Sequence, residues 1–201
     1  SVSILNAATG EVLHKLHDTK GTKKILYAQG TLVVYRKPNP RTQDGFIHAV
    51  EPSTGDLLWK YRGRSIVAHT LASENNRIFF HNTQGIVALG LESGKKLWQS
   101  RLQESQELIW GNSGKLVAKK GVVLFQNSRH LIALSAKNGK LLWKGPGAHT
   151  NNPSLFVIQD LVWGGQPEFL NRKITNQSRP DVSQAPFDHI WRAGGGNLAW
   201  E

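Results

Sequence analysis

Ala49-Val50-Glu51-Pro52-Ser53-Thr54-Gly55-Asp56-Leu57-Leu58-Trp59 aligns without a gap on two other stretches of the chain. They are Ala88-Leu89-Gly90-Leu91-Glu92-Ser93-Gly94-Lys95-Lys96-Leu97-Trp98 and Ala133-Leu134-Ser135-Ala136-Lys137-Asn138-Gly139-Lys140-Leu141-Leu142-Trp143. Each copy places Ala first, Gly seventh and Trp eleventh. A degenerate copy opens the chain, Ile4-Leu5-Asn6-Ala7-Ala8-Thr9-Gly10-Glu11-Val12-Leu13-His14, with Ile4 in the place of Ala and His14 in the place of Trp. The four glycines are separated by 45, 39 and 45 residues.

A period of roughly 40–45 residues belongs either to four-stranded propeller blades or to helical solenoids, and the local pattern decides between them. Ile25-Leu26-Tyr27, Thr31-Leu32-Val33-Val34-Tyr35, Arg77-Ile78-Phe79-Phe80 and Gly121-Val122-Val123-Leu124-Phe125 are short runs rich in β-branched and aromatic residues. Ala28-Gln29-Gly30, Glu74-Asn75-Asn76 and Lys119-Lys120-Gly121 punctuate them as turns. No stretch sustains a 3.6-residue apolar period. The reading is an all-β chain, a β-propeller of about four four-stranded blades, as a fragment of a larger propeller. The first complete blade is expected to run Lys24–Tyr27, Thr31–Arg36, Gly45–Glu51 and Leu57–Tyr61. The second runs Ala68–Ser73, Arg77–Asn82, Gly85–Leu91 and Lys96–Ser100, and the third Leu116–Lys119, Val122–Asn127, His130–Ala136 and Lys140–Lys144. A further blade begins with Ser154–Ile158 and Leu161–Gly164. The blades fill residues 1–165. Residues 166–201 abandon the pattern and read as an irregular extension or a degenerate final blade.

The spacing has a physical reading. A blade is apolar on both faces and cannot bury either alone, so blades must stack. The small side chains of Ala49, Ala88 and Ala133 leave room, and the indoles of Trp59, Trp98 and Trp143 fill space between blades. These tryptophans are expected to be mostly buried, each N–H on a neighbouring backbone carbonyl. His14 is expected to matter less. Gly55, Gly94 and Gly139 supply the positive φ of a strand-connecting turn.

These segments resemble the quinoprotein-type, or PQQ-like, β-propeller repeat, whose motif carries Ala, Gly and Trp at these places. The resemblance covers roughly Ile4 to Gly165. The family's consensus Asp is replaced here by Glu51, Gly90-Leu91 and Ser135. The resemblance implies one of two functions. One is the dehydrogenase that oxidises alcohols or sugars with pyrroloquinoline quinone and calcium. The other is the noncatalytic BamB-like scaffold, which holds no cofactor and binds protein partners in the bacterial cell envelope; its resemblance implies a periplasmic or envelope location. The chain looks closer to the second group.

The chemistry of the residues points the same way. With no Cys, thiolate zinc sites, Cys nucleophiles and the vicinal Cys pair of the dehydrogenases are excluded. A planar tricarboxylate such as PQQ needs a hard cation on oxygen ligands, and no Asp/Glu/Asn cluster matches that set. Glu51, Asp56 and Glu92 fall within or beside the glycine turns, where turn polarity explains them. No catalytic, cofactor-binding or metal residue is assigned, and no cofactor is expected; PQQ and calcium enter only under the dehydrogenase alternative.

The residues that could line a ligand face are His69, before an inner strand, and His149 and Asn151, in the polar connection after Gly145-Pro146-Gly147. Two histidines without carboxylates at set spacing are weak evidence for a metal, and the stronger reading of the second stretch is a Pro-directed turn with Asn satisfying the backbone. No G-x-S-x-G, H-E-x-x-H or phosphate loop is present, and no specific nucleic-acid motif.

A net charge of +11 favours acidic partners, so a basic propeller binding polyanions or an acidic surface is a third reading. The lysine pairs Lys23-Lys24, Lys95-Lys96 and Lys119-Lys120 read as solvated loop tips. No apolar run approaches the ~20 residues of a membrane-spanning helix. The absence of Met and the start at Ser1 suggest an excised or incomplete chain.

Overall fold

The computed structural model describes residues 2–101, 114–146, 154–158 and 161–165. His149, Asn151 and the extension 166–201 lie outside these described residues.

The chain opens with an antiparallel pair, β1 (Val2–Leu5) and β2 (Val12–Leu16). Three four-stranded antiparallel blades follow in sequence order. The first holds β3 (Thr22–Ala28), β4 (Thr31–Arg36), β5 (Asp44–Val50) and β6 (Leu57–Arg64). The second holds β7 (Ala72–Glu74), β8 (Arg77–Asn82), β9 (Gly85–Gly90) and β10 (Lys96–Ser100). The third holds β11 (Lys115–Lys119), β12 (Val122–Gln126), β13 (His130–Ser135) and β14 (Leu141–Pro146). A last pair, β15 (Ser154–Ile158) and β16 (Leu161–Gly165), ends the described residues. Since the glycine turn links third and fourth strands, β1–β2 is the outer half of a blade, whereas β15–β16 is an inner half.

The two middle strands of each blade are covered on both faces, so they read as continuous apolar runs rather than alternating ones. Consecutive residues then serve opposite neighbours, as the period of two requires. Phe80 packs with Val33, Tyr35 and Ile47 of the first blade. Phe79 packs with Val123, Phe125 and Ile132 of the third. Val2 and Leu16 cover Val34 and Val50 at one end, and Leu155 and Val162 cover Leu124 and Ala133 at the other. Phe79, Phe80 and Phe125 are fully buried, each contributing roughly 1.5–3 kcal/mol.

One expected strand is different. Ala68–Thr70 forms a 3-10 turn, and only Ala72–Glu74 pairs as strand. Thr70 imposes this: its hydroxyl donates to the Val67 carbonyl at 2.7 Å and accepts the His81 N–H at 2.8 Å, while Val67 N–H donates to the His81 carbonyl at 3.0 Å. The connection between blades is thereby sewn to β8 before the inner strand begins. Lys23 and Lys24 also sit inside β3, not at a loop tip.

Tyr35 fixes the same connection from the first blade. Its hydroxyl donates to the Ile66 carbonyl at 2.9 Å in a buried setting. Tyr35→Phe strands that carbonyl away from water and should cost about 1–3 kcal/mol. Urea unfolding measures it; an unchanged midpoint would show that the bond contributes nothing.

Candidate functional site

The repeat residues assemble into a socket that spans blades. Within a blade, Ala49, Ala88 and Ala133 sit opposite Trp59, Trp98 and Trp143 across the outer hairpin. All three alanines are fully buried. Between blades, the indole reaches the glycine turn of the next repeat. Trp59 Nε1 donates to the Leu91 carbonyl at 2.6 Å, and Trp98 Nε1 to the Ala136 carbonyl at 3.0 Å. A Cβ on Gly94 would meet Trp59 Cε3 at 2.5 Å, and one on Gly139 would meet Trp98 Cε3 at the same 2.5 Å. The glycine thus serves two purposes, a positive φ (+65° and +72°) and a flat seat for the previous blade's ring. His14 takes the indole's place above Gly55, more loosely, with its Cβ 3.5 Å from where a Cβ would stand.

The tryptophans are mostly buried, though not completely, and pack against the cores between blades. They stand on the outermost strands, where one ring face meets the next turn and the other edge faces solvent. The hairpin register slips beside each motif, leaving Leu13, Leu58, Leu97 and Leu142 as the extra residue of a bulge. These four leucines are 50–52% exposed. They form a repeated apolar feature on the open edge of every outer strand, one that the three motif positions do not contain.

His69 lies exposed in the 3-10 turn. His149 and Asn151 cannot be placed with it, being outside the described residues.

Two buried histidines that the motif reading passed over carry more. His81 is stacked on Phe125 of the next blade with centroids 4.7 Å apart. Burial holds its pKa down at about 4, so the ring is neutral near pH 7. His48 also lies low, at about 4, because of burial first and then the charges of Arg36 and Lys60. Its Nε2 accepts from Arg36 Nε at 3.3 Å, which requires the neutral ring. Arg36 and Lys60 both pair with Asp18 and both lie 4.8 Å from the Phe46 ring centre. The hydrogen bond from Lys60 is the main cause that lowers the Asp18 pKa; burial opposes it, and the charge of Arg36 adds to the lowering. Sequence alone could have found this cluster only through hairpin register, since His48 faces Lys60 across β5–β6.

Several acids are engaged in structure. Asp44 pairs with Arg62 at 2.7 Å, and Glu51 accepts from Ser53 N–H and Oγ. Glu74 accepts the Gly121 N–H of the next blade at 2.9 Å, and Glu92 accepts from Asn76 at 3.1 Å. A crevice of about 230 Å³ opens between Asn75–Arg77 and Gly90–Ser93, edged by Leu97. Among the described residues, no three His, Cys, Asp or Glu side chains converge as metal ligands.

The family described as outer membrane protein assembly factor BamB matches residues 1–161. By sequence, no curated protein matches the chain. Among solved structures, BamB from Moraxella catarrhalis superposes with a TM-score of 0.61 at 16% identity, covering 77% of this chain and 50% of that one. The computationally designed Ika4 protein gives 0.59 at 14% identity, covering 76% of this chain and 90% of that one. A quinohemoprotein alcohol dehydrogenase from Pseudomonas putida HK5 gives 0.54 at 10% identity, covering 82% and 36%. The chain spans half the length of the Moraxella protein, and at these identities the likeness is one of fold.

Proposed function

We propose, given that the chain belongs to the family of the outer membrane protein assembly factor BamB, that it is a noncatalytic β-propeller scaffold that binds a protein partner in the bacterial envelope. The observation that carries this reading is where the repeat residues go. Every tryptophan and glycine placed in a socket serves blade docking, and Asp18, Asp44 and Glu92 are held in ion pairs or a turn contact. What is left for a partner is surface. The bulge leucines 13, 58, 97 and 142 offer apolar contact on open strand edges, and the positive charge favours an acidic partner. A photo-crosslinkable residue at Leu58 or Leu97 should give a discrete adduct with an envelope protein. The same label at Lys137, on the turn, should not. Adducts of equal yield at all three sites would remove the outer strands from the interface.

The second reading is a piece of a PQQ-dependent dehydrogenase, favoured by the structural likeness to the Pseudomonas enzyme. A PQQ titration with calcium present separates the two. A chain at +11 attracts a tricarboxylate nonspecifically, and that attraction fades as salt shortens the screening length. Under the scaffold reading, binding is weak, disappears at physiological salt, and no alcohol or sugar is oxidised. Saturable, salt-resistant binding at one site with dye-linked turnover would establish the dehydrogenase instead.

A further inference from the structure

The turn that receives Trp98 differs from its counterparts at one position. Thr9, Thr54 and Ser93 precede the glycine in the other copies, but Asn138 does so here, and Asn138-Gly139 is the sole Asn-Gly pair in the chain. We propose that Asn138 is a site of spontaneous deamidation, gated by the docking of Trp98, whose isoaspartyl product loosens the second blade from the third.

The chemistry needs no other protein group. The Gly139 backbone nitrogen attacks Asn138 Cγ. A new N–C bond closes a five-membered succinimide as the Cγ–Nδ2 bond breaks. The attacking nitrogen loses its proton to solvent, and Nδ2 leaves as ammonia after taking a proton from water. Water then opens the ring at either carbonyl, giving aspartate or isoaspartate, with no change of oxidation state. Glycine after asparagine favours the attack because no Cβ shields the nitrogen.

The turn presents the reactants and also restrains them. Asn138 is exposed, and its Oδ1 accepts the Lys140 N–H at 3.1 Å, holding the side-chain amide against the Gly139 peptide. Gly139 N–H, however, donates to the Ser135 carbonyl at 2.8 Å. Gly139 is itself buried, with Trp98 lying on the face a Cβ would occupy and Trp98 Nε1 bonded to the Ala136 carbonyl at the start of the same turn. The attacking nitrogen is released only when this turn opens, so the rate reports how firmly the indole holds it. Isoaspartate inserts a methylene into the main chain, and the lengthened turn no longer presents Gly139 and the Ala136 carbonyl at one ring's spacing.

The experiment ages the folded chain at mildly alkaline pH and follows the one-dalton gain in the peptide holding Asn138, with the urea-unfolded chain as the reference rate. The folded wild type should react far more slowly than the unfolded chain. Trp98→Ala should react at least about tenfold faster than wild type, since each ~1.4 kcal/mol removed from the closed turn multiplies its open fraction tenfold. Trp98→Phe, which keeps a ring over Gly139 but loses the bond to Ala136, should fall between and serves if the alanine variant does not fold. Asn138→Thr, the residue of two sister turns, should show no gain at this peptide. The isolated isoaspartyl form should melt below the unmodified chain. Equal rates in folded and unfolded wild type, a Trp98→Phe rate equal to wild type, or unchanged melting of the isoaspartyl form would each overturn the proposal.

Discussion

Gly94→Ala should destabilise the protein by about 3 kcal/mol or more, roughly twice the cost of the same change at Gly30. Both glycines hold a positive φ, +65° and +84°, and a non-glycine residue there costs roughly 1–2 kcal/mol on backbone grounds alone. The difference lies in what a methyl meets. At Gly30 nothing stands within 4 Å, whereas at Gly94 the new Cβ would lie 2.5 Å from Trp59 Cε3 and 2.7 Å from Cδ2. The indole cannot yield without breaking its hydrogen bond to the Leu91 carbonyl, so overpacking adds a further ~1–3 kcal/mol. Gly139→Ala should resemble Gly94→Ala, because Trp98 lies equally close. Gly55→Ala should fall nearer Gly30, because His14 leaves an ordinary 3.5 Å contact. Trp59→Ala should cost about as much as Gly94→Ala, toward the lower end of the ~3–5 kcal/mol typical of buried aromatic truncations, because the residue is not completely buried. The double variant should lose less than the sum, since both changes break one socket. Chemical unfolding of the set measures this, and equal losses at Gly30 and Gly94 would reduce the glycine to a turn residue.

The second large effect is a loss of stability in mild acid, centred on His81. Its folded pKa of about 4 lies below the ordinary 6.5 because burial disfavours the charged ring. The folded state therefore refuses a proton that the unfolded chain accepts. The contribution is complete above pH 6.5, falls as pH drops from 6.5 towards 4, and declines no further below that. The full gap corresponds to roughly 3 kcal/mol, of which about 2 should be lost between pH 7 and pH 5. His48, held down by burial and then by Arg36 and Lys60 with Asp18 opposing, acts in the same direction. His81→Phe retains the stack on Phe125 and removes the titration. Its unfolding free energy should fall less steeply with acid than that of the wild type. Parallel curves for the two proteins between pH 7 and pH 5 would show that His81 is not the group responsible.

The sequence by itself determined the repeat, the strands and the handful of residues that define each blade. Those are local properties: the short apolar, β-branched and aromatic runs of β4 and β8, the polar turns between them, and a glycine at a fixed place before an outer strand. A one-dimensional stack also makes the partner of each blade its sequence neighbour, so the order of packing follows from the order of repeats. The tertiary structure alone decided which glycine each indole meets. Trp59 seats on Gly94 and not on Gly55 of its own hairpin, because the ring must leave its sheet to find cover and the next blade supplies it. It also decided that the tryptophans keep a minor part of their surface exposed, since an outer strand has a neighbour on one edge only. His81 shows the limit most plainly. Nothing in Phe80-His81-Asn82 says whether the ring faces water or Phe125. That depends on how closely two blades approach at the end of β8, which is set by the Thr70 connection and the phenylalanines beneath it, not by any residue beside His81 in the chain.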